Sequence, residues 1–285
     1  MLTVHDSSLT TESRDYGAFG LRIRGLPCEL LSAIPAEAEW PELTISRKLT
    51  APLERPERIG RRTADVRLLY GDRAVMRRDA RTATLLTEAP ADDGTLVHPF
   101  LTAAAVIFAW WDGRHAFHGG AFVDSATRAW CLLGERASGK SSTLARISLA
   151  GLNVLSDDLI VIDGRDVLAG PRCVDLRPDA AATLGVAARA SPVRGGERLR
   201  FALPPAPAAV PLHGWLFLTW ADAVSLRRLR PSEWLDRLAQ YRSTSTAYSP
   251  SLLDLAGLPA WELCRPRRSD SLEPAVERLL ALVRS

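Results

Sequence analysis

The sequence predicts an α/β protein built around a phosphate-binding loop, with a small strand-rich region ahead of it. Three observations carry this prediction. Gly134-Glu135-Arg136-Ala137-Ser138-Gly139-Lys140-Ser141 satisfies G-x-x-x-x-G-K-[ST], and Ser142 follows it. The flanks fit: Trp130-Cys-Leu-Leu133 is an apolar strand-type run, and Leu144, Ala145, Ile147 and Leu149 mark a helix that stops at Gly151. A carboxylate pair, Asp157-Asp158, then follows one helix and one short strand later.

Ahead of the loop, Leu21-Arg-Ile-Arg24 and Leu43-Thr-Ile-Ser46 alternate apolar and polar residues, as half-buried strands do. Pro52 to Arg62 is expected to be a loop. Further strands are expected over 64–70, 74–76 and 82–86, with a turn at Gly71-Asp72 and a break at 89–94. Pro99 to Trp111 is apolar on all sides and predicts a buried helix. Phe117 to Val123 is a strand, and a turn at 125–127 makes it a hairpin with the strand that enters the loop. Asn153 to Leu155 and Leu159 to Ile162 are short strands around Ser156-Asp157-Asp158. Pro204 to Pro211 is a connector and Leu212 to Trp220 a strongly apolar strand. A capped helix starts at Ser232, a Ser/Thr-rich loop covers 242–250 near the site, and a final helix buries Leu272, Val276, Leu279, Leu280 and Val283. These expectations divide the chain into a strand-rich region, 1–95, that packs on or recognises a partner, and a nucleotide-binding domain, 96–285.

Composition excludes some function classes. The 36 basic and 33 acidic residues leave a net charge of +3, so no nucleic-acid partner is expected. Cys28, Cys131, Cys173 and Cys264 show no metal-type spacing and read as free thiols in a reducing compartment. The first 17 residues carry no secretory pattern, and the run 101–111 is too short to span a bilayer. The expectation is a cytoplasmic protein with no membrane partner.

The loop has a definite chemistry. Gly134 and Gly139 let the backbone fold so that its N–H groups converge, and the helix start adds a positive dipole end, where phosphate oxygens would sit. Almost every basic residue is arginine; only Lys48 and Lys140 are lysines, and Lys140 stands where a compact ammonium would reach the outer phosphates of ATP. The Ser141 hydroxyl suits Mg2+. Successive strand residues face opposite ways, so Asp157 and Asp158 can both serve the site only if the chain bends there. One carboxylate would then hold the metal ion and the other accept a proton from an attacking hydroxyl. Asp157-Asp158 as a solvated turn, and His118 as an ordinary packed residue, are the plainer readings. Arg172, Arg177 and the arginines of 195–200 read as solvated surface charges.

His118-Gly119-Gly120, the loop 134–142 and Leu155-Ser-Asp-Asp158 together resemble the catalytic core of bacterial HPr kinase/phosphorylase, over residues 115–163. Weaker similarity continues through 170–178 and 259–266. Relatives of that family include the kinases of peptide natural-product clusters, which phosphorylate a serine on a precursor such as a lasso peptide. The resemblance implies a mixed sheet flanked by helices and transfer of the γ-phosphoryl group of ATP to a serine of a protein or peptide. It implies Asp157 as general base, Asp158 with Ser141 on Mg2+, His118 near the transferred phosphate and Lys140 neutralising its charge. HPr kinase itself carries glutamate where Ser142 stands, and its phosphorylase-associated signature is not found here. The match is therefore better to the peptide-cluster relatives, and phosphorolysis is not expected. A small-molecule hydroxyl kinase and a non-catalytic nucleotide sensor are the alternatives. A homo-oligomer is compatible with the sequence but not required by it.

Overall fold

The computed structural model describes residues 15–35, 37–51, 56–68, 71–243 and 250–284. Most of the polar N-terminal stretch, parts of the expected loops at 52–62 and 242–250, and the end of the expected strand 64–70 lie outside the described residues.

The first sheet is assembled from β1 (Tyr16–Ala18), β2 (Leu21–Arg24), β3 (Ser32–Ala33), β4 (Glu42–Leu49), β5 (Arg58–Ile59), β6 (Thr63–Arg67), β7 (Arg73–Arg77) and β8 (Thr82–Thr87), in the spatial order β3-β1-β2-β4-β8-β7-β6-β5. Alternation sets its buried face: Leu43 and Ile45 of β4 and Ala83 and Leu85 of β8 point inward. Strand β5 falls inside the segment expected to be a loop. Gly60 N–H bonds the Thr63 carbonyl at 2.9 Å, closing a tight hairpin that pairs Arg58 with Asp65 and Ile59 with Ala64.

The expected break at 89–94 also proves structured in part. The Asp92 carboxylate accepts the Thr95 N–H at 2.6 Å and caps α1 (Asp93–Thr95), which runs through 96–101 into α2 (Thr102–Trp111). The helical stretch therefore begins earlier than expected, and Asp93–Trp111 is by length and composition long enough to cross a membrane, although 56% of that window is buried inside the protein. Its apolar residues fill the space between the two large sheets: α2 touches β7 of the first sheet and reaches the second across Ala116, Leu159 and Val161.

The second sheet contains β9 (His115–Val123), β10 (Ala129–Gly134), β11 (Val154–Ser156), β12 (Leu159–Asp163), β13 (Asp166–Leu168), β17 (Ala209–Trp220), β18 (Ser225–Leu229) and β19 (Ala260–Arg265). It is mixed: β10–β17 and β17–β19 are parallel, while β9 runs antiparallel to β10, β11 and β12. A separate three-stranded sheet comprises β14 (Cys173–Leu176), β15 (Ser191–Val193) and β16 (Arg198–Ala202). The helices α3 (Lys140–Leu149), α4 (Pro178–Thr183), α5 (Pro231–Gln240), α6 (Pro250–Ala256) and α7 (Leu272–Arg284) complete the fold. The α5 helix begins one residue before the expected Ser232, with Pro231 in its first turn and Glu233 reaching back to the Arg230 N–H at 2.9 Å.

Strand β10 shows why its sequence is continuously apolar. Trp130 and Leu132 pack toward α3 and α7, while Cys131 and Leu133 pack toward Trp234 and Leu238 of α5, so both faces are covered. This is an α/β fold with a mixed sheet flanked by helices. Because β10, β11, β17 and β19 point the same way, their C-terminal ends deliver Gly134, Ser156, Trp220 and Arg265 to one edge, the place where α/β sheets bind ligands.

Gly119 and Gly120 make room for close packing of the surrounding strands and helix. A Cβ on Gly119 would lie 2.5 Å from the Leu132 carbonyl oxygen, and one on Gly120 would lie 2.3 Å from Leu144 Cδ1 and 2.8 Å from the Ser156 carbonyl oxygen. Gly120→Ala should therefore destabilise the protein by about 1–3 kcal/mol in urea denaturation, because the loop helix cannot approach β9 as closely.

Candidate active site

Residues 134–142 adopt the shape of a phosphate cradle. Gly134 (φ +159°), Ala137 (φ +65°) and Gly139 (φ +90°) turn the loop, and Gly139 sits at the start of α3. A Cβ on Gly134 would lie 2.6 Å from Ser138 Oγ, and one on Gly139 would lie 2.3 Å from Arg265 Nη2. Lys140 is only 7% exposed, and its Nζ donates to the carbonyls of Gly134 (2.7 Å) and Glu135 (2.9 Å). Burial pulls its pKa below the ordinary value, and the nearby Asp157 and Asp158 oppose that pull. The Ser138 hydroxyl is buried with no hydrogen-bond partner among the described residues, an orphaned donor inside the cradle. Glu135, Arg136 and Ala137 form the exposed tip.

The carboxylate pair sits where β11 gives way to β12, and the expected bend is present: Asp158 has φ +69°. The Ser141 hydroxyl donates to Asp157 Oδ1 at 3.1 Å. Burial, reinforced by the Asp158 charge, pushes the Asp157 carboxyl up to about 7, against the lowering effect of the Ser141 hydrogen bond. Asp158 has different neighbours. His98 Nε2 lies 3.2 Å from Oδ2 and His118 Nδ1 lies 3.5 Å from Oδ1. Burial raises its pKa as well, while His118, then Lys140 and Arg136, pull the other way.

His118 is held on β9 by its own backbone. Its N–H donates to the Tyr241 carbonyl at 2.7 Å, and its Nδ1 stands 3.1 Å from the Asp158 carbonyl. Ser243 N–H bonds the Ala116 carbonyl at 2.9 Å, so the described start of the expected 242–250 loop runs beside His118.

All the predicted site residues other than Gly134, Glu135 and Ser138 line one cleft of about 570 Å3, and those three belong to the same loop. The lining also includes residues that the sequence did not single out, among them His98, Trp220 and Arg265. His98 interrupts the helical stretch (φ −151°, ψ 128°), and its Nδ1 is 2.9 Å from Thr102 Oγ1. Arg265 is 6% exposed, stacks on Trp220 with its guanidinium carbon 4.4 Å from the ring centroid, and leaves its buried Nε without a partner. Burial lowers its pKa. His98 showed no sequence signal beyond lying before an apolar run. Arg265 and Trp220 end two strands that the sequence marks only as apolar or weakly similar.

The arginines divide. Arg177, Arg194, Arg198, Arg267 and Arg268 line the cleft. Arg200 instead grips Asp175 with two 2.7 Å bonds between β14 and β16, and Arg172 donates to the Glu29 carbonyl at 2.5 Å, so these two are structural. Cys131 and Cys173 are buried and Cys264 is half-buried, all three as free thiols.

The donors fit ATP with Mg2+. The cradle, the orphaned Ser138 hydroxyl and the buried ammonium suit phosphates, and Ser141, Asp157 and Asp158 are the hard oxygen donors that Mg2+ takes. Among the described residues no three His, Cys, Asp or Glu side chains converge as a metal cage.

No protein-family model and no curated protein matches the chain. Among solved structures it is similar to the Hpr(Ser) kinase/phosphatase from Coxiella burnetii, at 12% identity over 59% of this chain and 96% of that one, with a TM-score of 0.30. At that identity and score, no residue role passes from one protein to the other.

The Asp157 environment has a measurable consequence. Its folded-state pKa of about 7 lies above the unfolded value near 3.8, so the folded protein retains a proton that the unfolded chain releases. The carboxyl therefore lowers stability progressively as pH rises from about 4 to about 7, with the full penalty above that. Asp157→Asn should melt higher than the wild type at pH 8, and the difference should shrink toward pH 4. A difference that does not change with pH would contradict this account.

Proposed function

We propose that this chain is an ATP-dependent kinase that transfers the γ-phosphoryl group to a serine hydroxyl of a protein or peptide. A precursor peptide of the lasso type belongs to that acceptor class. One observation carries the reading: the phosphate cradle and a bent carboxylate pair meet in one cleft, joined by the 3.1 Å bond from Ser141 to Asp157. Binding alone does not require two carboxylates behind a phosphate loop, whereas phosphoryl transfer to a hydroxyl uses a metal-side group and a proton acceptor.

The contacts favour a division of labour opposite to the one expected from the sequence. Ser141 is bonded to Asp157, so these two would hold Mg2+, which when bound with the nucleotide offsets charge on the outer phosphates. Asp158, flanked by His98 and His118 and 37% exposed, is left to face the acceptor. The seryl oxygen attacks the γ-phosphorus, its proton passes to the Asp158 carboxylate, and the bond from that phosphorus to the departing ADP oxygen breaks. A raised carboxyl pKa makes Asp158 a stronger base than a free aspartate. Lys140, already aimed into the loop, meets charge on the outer phosphates, and Arg265 beside Gly139 adds a second cation at the cradle.

Lys140→Ala should weaken ATP binding and phosphoryl transfer together, read by calorimetry and by transfer of labelled phosphate to a degenerate library of serine-containing peptides. Unchanged affinity and rate would show that the loop is not the site.

The paired variants separate the two carboxylates. Asp158→Asn should slow transfer at least about a hundredfold with ATP affinity nearly preserved, whereas Asp157→Asn should weaken Mg2+-dependent nucleotide binding. The reverse pattern would restore Asp157 as the base. Wild-type rates in both would overturn the mechanism.

A further inference from the structure

We propose that the acceptor enters through a second cavity, on the side of the first sheet, and that it is an acidic peptide segment carrying the serine; this rests on the kinase reading above. The cavity measures about 710 Å3. Pro56, Glu57, Arg67, Leu68 and Arg73 of the first sheet form one wall, and the start of α2 forms the other. It shares only His98, Thr102 and Asp158 with the cleft that holds the phosphate loop. Asp158 therefore stands at the seam between the two spaces, and Asp157 borders the loop side alone. An in-line displacement needs the attacking oxygen and the departing oxygen on opposite sides of the phosphorus. A hydroxyl that reaches Asp158 from the second cavity would approach from the side opposite the loop, as such a displacement requires.

His98 holds this seam. Its ring spans from Thr102 Oγ1 (2.9 Å) to Asp158 Oδ2 (3.2 Å), while His118 approaches the other carboxylate oxygen from the loop side. The aspartate is thus fixed facing both spaces, which is what a group taking a proton from one and serving chemistry in the other requires.

The occupant follows from the wall. The rim continues into β5, which ends the first sheet and exposes Arg58 and Ile59, the latter 58% exposed. A sheet edge of this kind can receive an extended chain, a feature that a pocket for a small alcohol does not need. The charge on that wall is positive. Asp65 is engaged by Arg73, whereas Arg67, whose N–H bonds Glu57, and the neighbouring Arg58 of β5 are exposed. Complementarity therefore selects acidic residues beside the serine.

Two degenerate peptide libraries with a central serine, one flanked by Asp/Glu and one by Lys/Arg, test the proposal with labelled ATP. The acidic library should be phosphorylated at least about tenfold faster. Arg67→Glu, a change on an exposed side chain, should abolish or reverse that preference, and Ala103→Phe, which fills the cavity, should cut transfer at least about tenfold. In both variants ATP affinity by calorimetry should stay within about twofold of wild type. If Ala103→Phe fails to fold, the Arg67→Glu preference decides alone. Equal rates for the two libraries or wild-type behaviour in Arg67→Glu would overturn the acceptor route while leaving the kinase reading standing, whereas phosphorylation of free serine with no peptide accepted would overturn both the route and the peptide acceptor. Wild-type protein that binds ATP and phosphorylates no acceptor would sink the kinase reading, and this proposal with it.

Discussion

The structure depends on keeping a positive charge buried at the floor of the cleft. Lys140 is nearly fully buried, and an ammonium in such a place is costly unless it is hydrogen-bonded and compensated. The compensation comes from distant parts of the chain. The loop turns back so that the Gly134 and Glu135 carbonyls reach Nζ, which demands left-handed backbone at Ala137 and Gly139. Asp157 and Asp158 supply the opposing charge, which demands that β11 end beside the start of α3. That approach in turn depends on Gly120, whose missing side chain lets Leu144 and the Ser156 carbonyl close on β9.

The same burial gives the two carboxylates separate characters. Both are pushed toward the neutral form by their surroundings, yet Asp157 is answered by a serine hydroxyl and Asp158 by two imidazoles. Neighbouring acids with different partners can take different parts in one reaction. The energy they hold back from stability is the kind of strain that functional sites accumulate, because a fully satisfied carboxylate is a poor base.

The cleft's arginines follow the same logic of compensation. Where a guanidinium is buried with a carboxylate, as Arg200 is with Asp175, it ties strands together and is chemically occupied. Arg265 is buried against an aromatic face and a serine hydroxyl, with no carboxylate beside it among the described residues, and it lies against the loop. A cation in that state is suited to an anion that arrives from outside.

The sequence alone determined the elements whose signals are local. The phosphate loop, its strand and helix, the hairpin from β9, the final helix and the bend at Asp157-Asp158 were all legible, because glycine positions, apolar periodicity and the G-K-S run act over a few residues. The sequence shows two glycines after His118 but not their purpose, since the atoms they admit belong to strands and a helix far along the chain. Strand β5 and the Asp92 cap were missed because one hairpin bond and one side-chain bond override a proline- and charge-rich composition. Tertiary structure alone decided which residues meet. It brought His98 to Asp158, Arg265 to Gly139 and the first sheet to the mouth of a second cavity, because such contacts arise from how helices and sheets stack and leave no periodicity in the chain.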